Sequence, residues 1–363
     1  VSAVVAEAQR PAVAGVGGVR YDALTAALCV VFQGGAYLDV WAHVHRPELE
    51  TFFTPWHGVL YSGFFAVAAV TAAPLVVGGR RGGRSWLSAL PIGYDLSLIG
   101  VLIFLLGGVL DMLWHIAFGI EADVEALLSP SHLVLALGST LILTGPLRAA
   151  WRRPADEASW PAILSVACLL SSLSFWTQYA HHFGRPWPAL GNRPTTRVFA
   201  TVAPDPMIRN TDIQTVYVAH ALGVAGVLLQ AVFIAAIVLL ALRRWGPRLP
   251  FGAFAVIFGL NALMVGAARD QLMLVPGAVA AGLIADALIH SLAPSVQRAL
   301  RLRLVAFAIP GTYFALYFLN VAMTRGVWWS VPLWSGSIVL AGGTGWLASW
   351  LIAPPPFPDD RRG

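Results

Sequence analysis

Apolar residues in this chain come in long blocks, not in the strict alternation of a half-buried strand. Ten blocks can be marked, at 22–45, 57–79, 92–118, 131–150, 160–182, 214–242, 250–268, 272–294, 303–324 and 329–352. A helix of about 20 residues spans the ~30 Å hydrocarbon layer of a bilayer. Membrane barrels instead show alternation over ~10-residue segments. The pattern predicts an all-α polytopic integral membrane protein with about ten transmembrane helices, built as five hairpins. Residues 22–353 form a single transmembrane domain in this reading, between an N-terminal segment, 1–21, and a tail, 354–363. Blocks seven and eight are separated by almost nothing, so their boundary is the least defined. Residues 1–20 lack the basic, apolar, small-residue layout of a signal peptide, so block one reads as a true span.

Composition supports this class. Of 363 residues, 58% are hydrophobic and only 11% charged, with a mean hydropathy of +0.72. Soluble domains carry about 25% charge, and disordered chains lack this apolar content. The net charge is +5, and all 23 basic residues are Arg. They stand in short runs between apolar blocks, a topology signal and not a nucleic-acid surface. Sixteen fall on one side (Arg80, Arg148, Arg243, Arg298, Arg361 and their neighbours, with Arg10 and Arg20) and seven on the other. The positive-inside rule then makes both termini cytoplasmic and the hairpin tips extracytoplasmic, as in a bacterial inner or plasma membrane. Cys29 and Cys168 lie inside apolar blocks with no metal spacing and read as small buried hydrophobes.

Candidate chemistry sits at the tips of the first hairpins. The first, 22–79, reads Gly34-Gly35, Asp39-x3-His43, Glu50, then Thr54-Pro55-Trp56-His57. The second, 92–150, reads Gly107-Gly108, Asp111-x3-His115, Glu125, then Ser129-Pro130-Ser131-His132. Asp and His four apart share one helix face. Thr or Ser before Pro is a helix start, which puts His57 and His132 in a first turn, where the helix dipole disfavours imidazolium. Each hairpin can therefore present one carboxylate and two imidazoles at one depth. Glu50 and Glu125 are candidate bridging ligands or catalytic bases.

The third hairpin, 160–242, carries a weaker version: Gln178-x3-His182 with His220 early in its second helix. These three are second-choice ligands. The hairpins at 250–294 and 303–352 read as scaffold. Eight of the nine His fall on the tip side, and ionisable groups at membrane depth usually mark function. Asp286-x3-His290 reads as an intramembrane hydrogen-bonded pair, and the glycine pairs as places of close helix packing. Residues 183–213, rich in Pro, Arg and Asn, read as a lid or partner-docking loop.

Two His with one carboxylate suit iron, copper or zinc and leave coordination positions open. With no thiolate and no Met-rich stripe, a soft Cu(I) shuttle is less favoured; copper or iron is expected ahead of zinc. The set Asp39-x3-His43-x13-His57 resembles the metal-binding motif of the C subunit of particulate methane and ammonia monooxygenases. There, an Asp or Asn, a His four residues on and a more distant His bind copper near the outer membrane face. The resemblance implies that Asp39, His43 and His57 form one site and Asp111, His115 and His132 another. It also implies monooxygenase-like oxidative chemistry, with electrons supplied from outside the chain by a donor or partner membrane subunit on the extracytoplasmic side. Three other functions stay open on the residues alone: a transporter or channel for a metal ion or small solute, a haem electron carrier, and a structural subunit of a larger membrane complex. A conduction path would need polar groups across the whole membrane, and the inner halves of the first four blocks are nearly all apolar. Haem ligation would not need the carboxylates.

Overall fold

The computed structural model describes residues 17–46, 53–79, 89–119, 124–154, 158–194 and 206–354, with the side chains of 78–79 and 206–214 left aside. It is helical, and among these residues the only β pairing is two isolated bridges. Twelve α-helices follow in order. They are α1 (Val19–His45), α2 (Pro55–Gly79), α3 (Asp95–Phe118), α4 (Glu125–Leu128), α5 (Pro130–Leu143) and α6 (Gly145–Arg152). Then come α7 (Trp160–Trp176), α8 (Pro206–Arg244), α9 (Ala253–Ala268), α10 (Val275–Leu292), α11 (Ala299–Arg325) and α12 (Val331–Ile352).

Seven helices among the described residues are long and apolar enough to cross a membrane: α1, α2, α3, the Thr215–Arg244 part of α8, Leu272–Leu292, α11 and α12. An eighth span is possible if α5 and α6, bent by 41° at their junction, count as one. The remaining two expected spans are the shorter helices α7 and α9. Of the ten expected spans, seven or eight meet this test among the described residues, and α7 and α9 fall short of it in length. Helix α7 stops at Trp176, and the chain turns through a short 3-10 segment at Gln178–Ala180. Helix α9 stops before Arg269-Asp270, where Asp270 adopts φ 55°.

The chain divides into two compact units, Val1–Ser172 and Leu173–Gly363. In the first, α1 packs on α2 and α3 on α5. The α5–α6 bend falls beside Pro146, which has no N–H to continue the helix. Its loosened backbone groups are satisfied from neighbours: Arg148 Nη2 donates to Leu141 O (2.8 Å), and Ser165 Oγ donates to Leu143 O (2.6 Å). Asp22, buried near the start of α1, accepts from Tyr94 Oη (2.9 Å) and pairs with Arg153.

In the second unit α9 packs on α10 and α11 on α12, while α8 lies mainly against α12 and α11. Pro310 inside α11 leaves the Ala306 carbonyl without its helical donor. A Cβ at Gly345 of α12 would overlap that oxygen, so only glycine fits there. Asp286 does not bond the His290 side chain. Its carboxylate caps α9, accepting from the N–H groups of Gly252 (3.1 Å), Phe254 (3.1 Å) and Ala255 (3.3 Å). His290 Nδ1 donates to the Asp286 backbone carbonyl instead (2.7 Å). The described part of the 183–213 loop is stitched to the α11–α12 connection, through a bridge from Ala189 to Val327 and a bond from Trp328 Nε1 to Trp187 O (2.7 Å).

Candidate metal centre

Both strong motifs assemble. Helix α1 ends two residues after His43, and α3 ends three after His115, so each Asp-x3-His pair occupies the last turns of its helix. Helices α2 and α5 begin at Pro55 and Pro130, which places His57 and His132 in their first turns. The returning helix then lays its His against the Asp of the outgoing one. His57 Nε2 lies 3.3 Å from Asp39 Oδ2, and His43 Nε2 lies 3.6 Å from the same oxygen. In the second hairpin, His132 Nε2 and His115 Nε2 lie 3.4 and 3.6 Å from Asp111 Oδ1. Within each set of three, one ligand atom per residue falls within 4.8 Å of the others, a spacing that can hold a metal ion.

Glycines set this approach, and they do so equivalently in the two hairpins. A Cβ at Gly35 would stand 2.9 Å from Leu60 Cα, and one at Gly107 would stand 3.2 Å from Leu135 N. A Cβ at Gly63 would meet Phe32 Cα at 2.8 Å, and one at Gly138 would meet Phe104 N at 2.6 Å. Residues 32 and 35 correspond to 104 and 107, a shift of 72, while 60 and 63 correspond to 135 and 138, a shift of 75. The Asp-x3-His and Pro-x-His motifs keep the same two shifts. The repeat therefore extends from the motif into the apolar helices, where composition alone hides it.

Hydrogen bonds orient the imidazoles. His115 Nδ1 donates to Gly119 O (3.1 Å), because a carbonyl can only accept. A neutral His115 then turns the Nε2 lone pair toward the Asp111 carboxylate, an arrangement that a cation between them relieves. Thr54 caps α2 by accepting the His57 N–H (3.1 Å), and its hydroxyl also lies 3.2 Å from His57 Nδ1. Ser129, the equivalent residue, leaves the backbone uncapped and meets His132 Nδ1 at 2.6 Å. Such partners fix ring orientation at metal sites.

The two sets differ in one respect. Ser131 Oγ donates to Asp111 Oδ1 (2.9 Å), whereas its counterpart in hairpin one is Trp56, which offers no such hydroxyl. Asp39 Oδ1 is buried without a hydrogen-bond partner. A buried carboxylate oxygen of this kind is costly unless a cation or donor meets it, so the donor set fits a metal. Tyr61, one turn after His57, packs on that imidazole with ring centroids 6.4 Å apart. Its hydroxyl sits 2.8 Å from where a Cβ on Gly108 would stand, one turn before Asp111. The i+4 spacing from His57 was a signal for Tyr61, and Ser131 lies inside the motif itself. Neither stood out as a functional residue in the sequence.

The remaining candidates stand apart from these sets. Glu50 lies outside the described residues. Glu125 heads the short α4 with its side chain exposed, and it does not join the Asp111 set. Gln178 gives its amide oxygen to Arg269 Nη2 (2.7 Å) and Nε (3.1 Å). His182 sits among Phe183, Tyr313, Phe314 and Tyr317, with Nε2 3.3 Å from Tyr313 Oη. His220 stacks on Trp328 with centroids 4.6 Å apart. The third hairpin's motif residues thus each have protein neighbours of their own. Cys29 and Cys168 are free and buried.

No protein-family model, curated protein or solved structure matches this chain. The class is set by fold and site alone: a membrane-type helical protein with two Asp/His/His groups able to hold a metal ion.

Proposed function

We propose that this protein is a membrane metalloprotein that binds copper or iron in paired Asp/His/His sites at the outer membrane face, with oxidative, monooxygenase-like activity, alone or as a subunit of a larger complex. The observation that carries the reading is the Asp39 set: two imidazole Nε2 atoms facing one buried carboxylate whose second oxygen has no partner. Its near-duplicate at Asp111 keeps the same three ligand types in the second copy of the hairpin, which supports the reading. Two His and one carboxylate leave coordination positions for a substrate or dioxygen, and a copper or iron held there supplies redox chemistry. The chain's own part is to aim the ligands. Asp39 and Asp111 supply the charge, Thr54 and Ser129 orient His57 and His132, and the Gly119 carbonyl sets the His115 tautomer. Tyr61 packs on the His57 ring of the first set. The Arg distribution supports cytoplasmic termini, with both sets on the extracytoplasmic side beside an external electron donor.

The deciding experiment is metal analysis by mass spectrometry of detergent-purified protein, wild type against the His57→Ala, His132→Ala double variant. Near-stoichiometric copper or iron, lost in the variant, is expected. Zinc lost in the same way overturns the oxidative part. No metal in either protein, after anaerobic purification without chelators, overturns the reading as a whole.

A further inference from the structure

At one end of the second unit four helix ends meet. The turn after α8 brings Gly246 beside the end of α10, where a Cβ would lie 3.8 Å from Pro294 O. The start of α11 folds back on α10 through Arg301 Nη1, which donates to Leu292 O (3.2 Å). Arg303 reaches the end of α12, donating to Ala353 O (3.2 Å) with its guanidinium 3.5 Å from the Trp350 ring centroid. This end therefore gathers Arg243 from α8 with Arg298, Arg301 and Arg303 around the start of α11. Arg243, Arg298 and Arg301 are exposed. Among the described residues, none of these four pairs with a carboxylate, and Arg303 Nε is buried with no partner. Among the described residues, Asp286 of α10 is committed to three backbone N–H groups.

Large apolar side chains stand exposed among these charges: Phe251, Val296 and Leu300, at 59, 47 and 62%. A surface meant for a soluble anion has no use for them. At the end of membrane-crossing helices, cations interleaved with exposed apolar groups match the headgroup layer, where arginine stems lie along acyl chains and guanidinium groups reach phosphate.

We infer that this end of the second unit is a binding surface for anionic phospholipid headgroups, with Arg298 and Arg301 as the principal phosphate contacts and Arg243 and Arg303 beside them. The inference rests on the chain's lying in a bilayer and is independent of the metal sites. Guanidinium groups take phosphate bidentately, and a zwitterionic lipid lacks the net charge to offset four cations.

The test uses the full chain in detergent, with thermal melting followed as lipid is added. Phosphatidylglycerol is expected to raise the melting temperature, while phosphatidylcholine and inorganic phosphate leave it unchanged. The Arg298→Gln, Arg301→Gln variant is expected to need more than tenfold more phosphatidylglycerol for half the shift, at about fivefold per arginine. Arg325→Gln, some 40 Å away at the far end of the 27-residue α11, is expected to respond as wild type. Should the double variant fail to fold, Arg243→Gln on a different helix gives the same readout. An equal response to phosphatidylcholine, an equal response of the basic-end variants and wild type, or a full response to inorganic phosphate alone overturns the inference.

Discussion

His57 Nε2 faces Asp39 Oδ2 at 3.3 Å across the gap between two helices, while Asp39 Oδ1 is buried with no partner. A carboxylate so placed is poorly matched to a metal-free protein and well matched to a cation. Asp39→Asn removes the charge and keeps the shape. We expect it to abolish metal binding at the first set and to raise the melting temperature of the metal-free protein, by relief of about 1–3 kcal/mol of unmet burial cost. Paired metal analysis and thermal melts with chelator check this. A metal-free variant less stable than wild type would mean that the carboxylate serves the histidines as a structural partner.

The Thr54 hydroxyl caps α2 and touches the His57 ring, so its loss has two readouts. Thr54→Val should cost about 1 kcal/mol of stability and weaken metal affinity about 10–100-fold. Ser129→Ala should weaken the second site with a smaller stability change, because Ser129 caps no backbone N–H. Titration with the identified metal separates the two effects.

Glycine position should matter more than glycine count. Gly35→Ala puts a Cβ 2.9 Å from the Leu60 backbone, which must move and carry His57 with it. A loss of about 1–3 kcal/mol is expected, together with weaker metal binding. Its neighbour Gly34 faces open space. Gly34→Ala should keep the metal and gain up to about 1 kcal/mol from helix propensity.

Asp286→Ala removes a cap with three charge-assisted bonds to α9. A loss of about 2 kcal/mol or more is expected, with metal content unchanged, since this group lies in the other unit. His290→Ala should cost far less, because His290 bonds only a carbonyl of its own helix.

His181 and His182 lie beyond the end of α7, stacked with centroids 4.4 Å apart. Burial pushes His181 down to about 3, with the Arg269 charge adding to it, and holds His182 well below the ordinary histidine range. Both stay neutral in the fold, while the unfolded chain takes up protons below about pH 6.5. Stability is therefore complete above that pH and falls as pH drops below it, by up to about 1.4 kcal/mol per pH unit for each histidine. Thermal melts between pH 7 and 5 should show this slope, and His181→Phe should flatten it.

Local signals in the sequence determined the two Asp/His/His sets and their helix ends. Asp and His four apart share a face because of the 3.6-residue turn. Thr-Pro and Ser-Pro start helices whether or not anything packs on them. The membrane class and the Asp/His/His groupings at Asp39 and Asp111 follow from such signals. Tertiary structure alone decided the rest. It showed that Asp286 serves α9 and not His290, that Arg269 takes Gln178, and that His182 and His220 lie among aromatic rings. It showed that Gly35 and Gly107 meet equivalent leucines, a repeat invisible in sequence because apolar residues substitute freely for one another. Hydropathy measures how apolar a stretch is, but where a helix breaks depends on which neighbour satisfies the freed backbone, as Arg148 and Ser165 do at the α5–α6 bend. Helix faces are written locally, whereas partners are chosen by side chains far apart in the chain, and no local pattern encodes that choice.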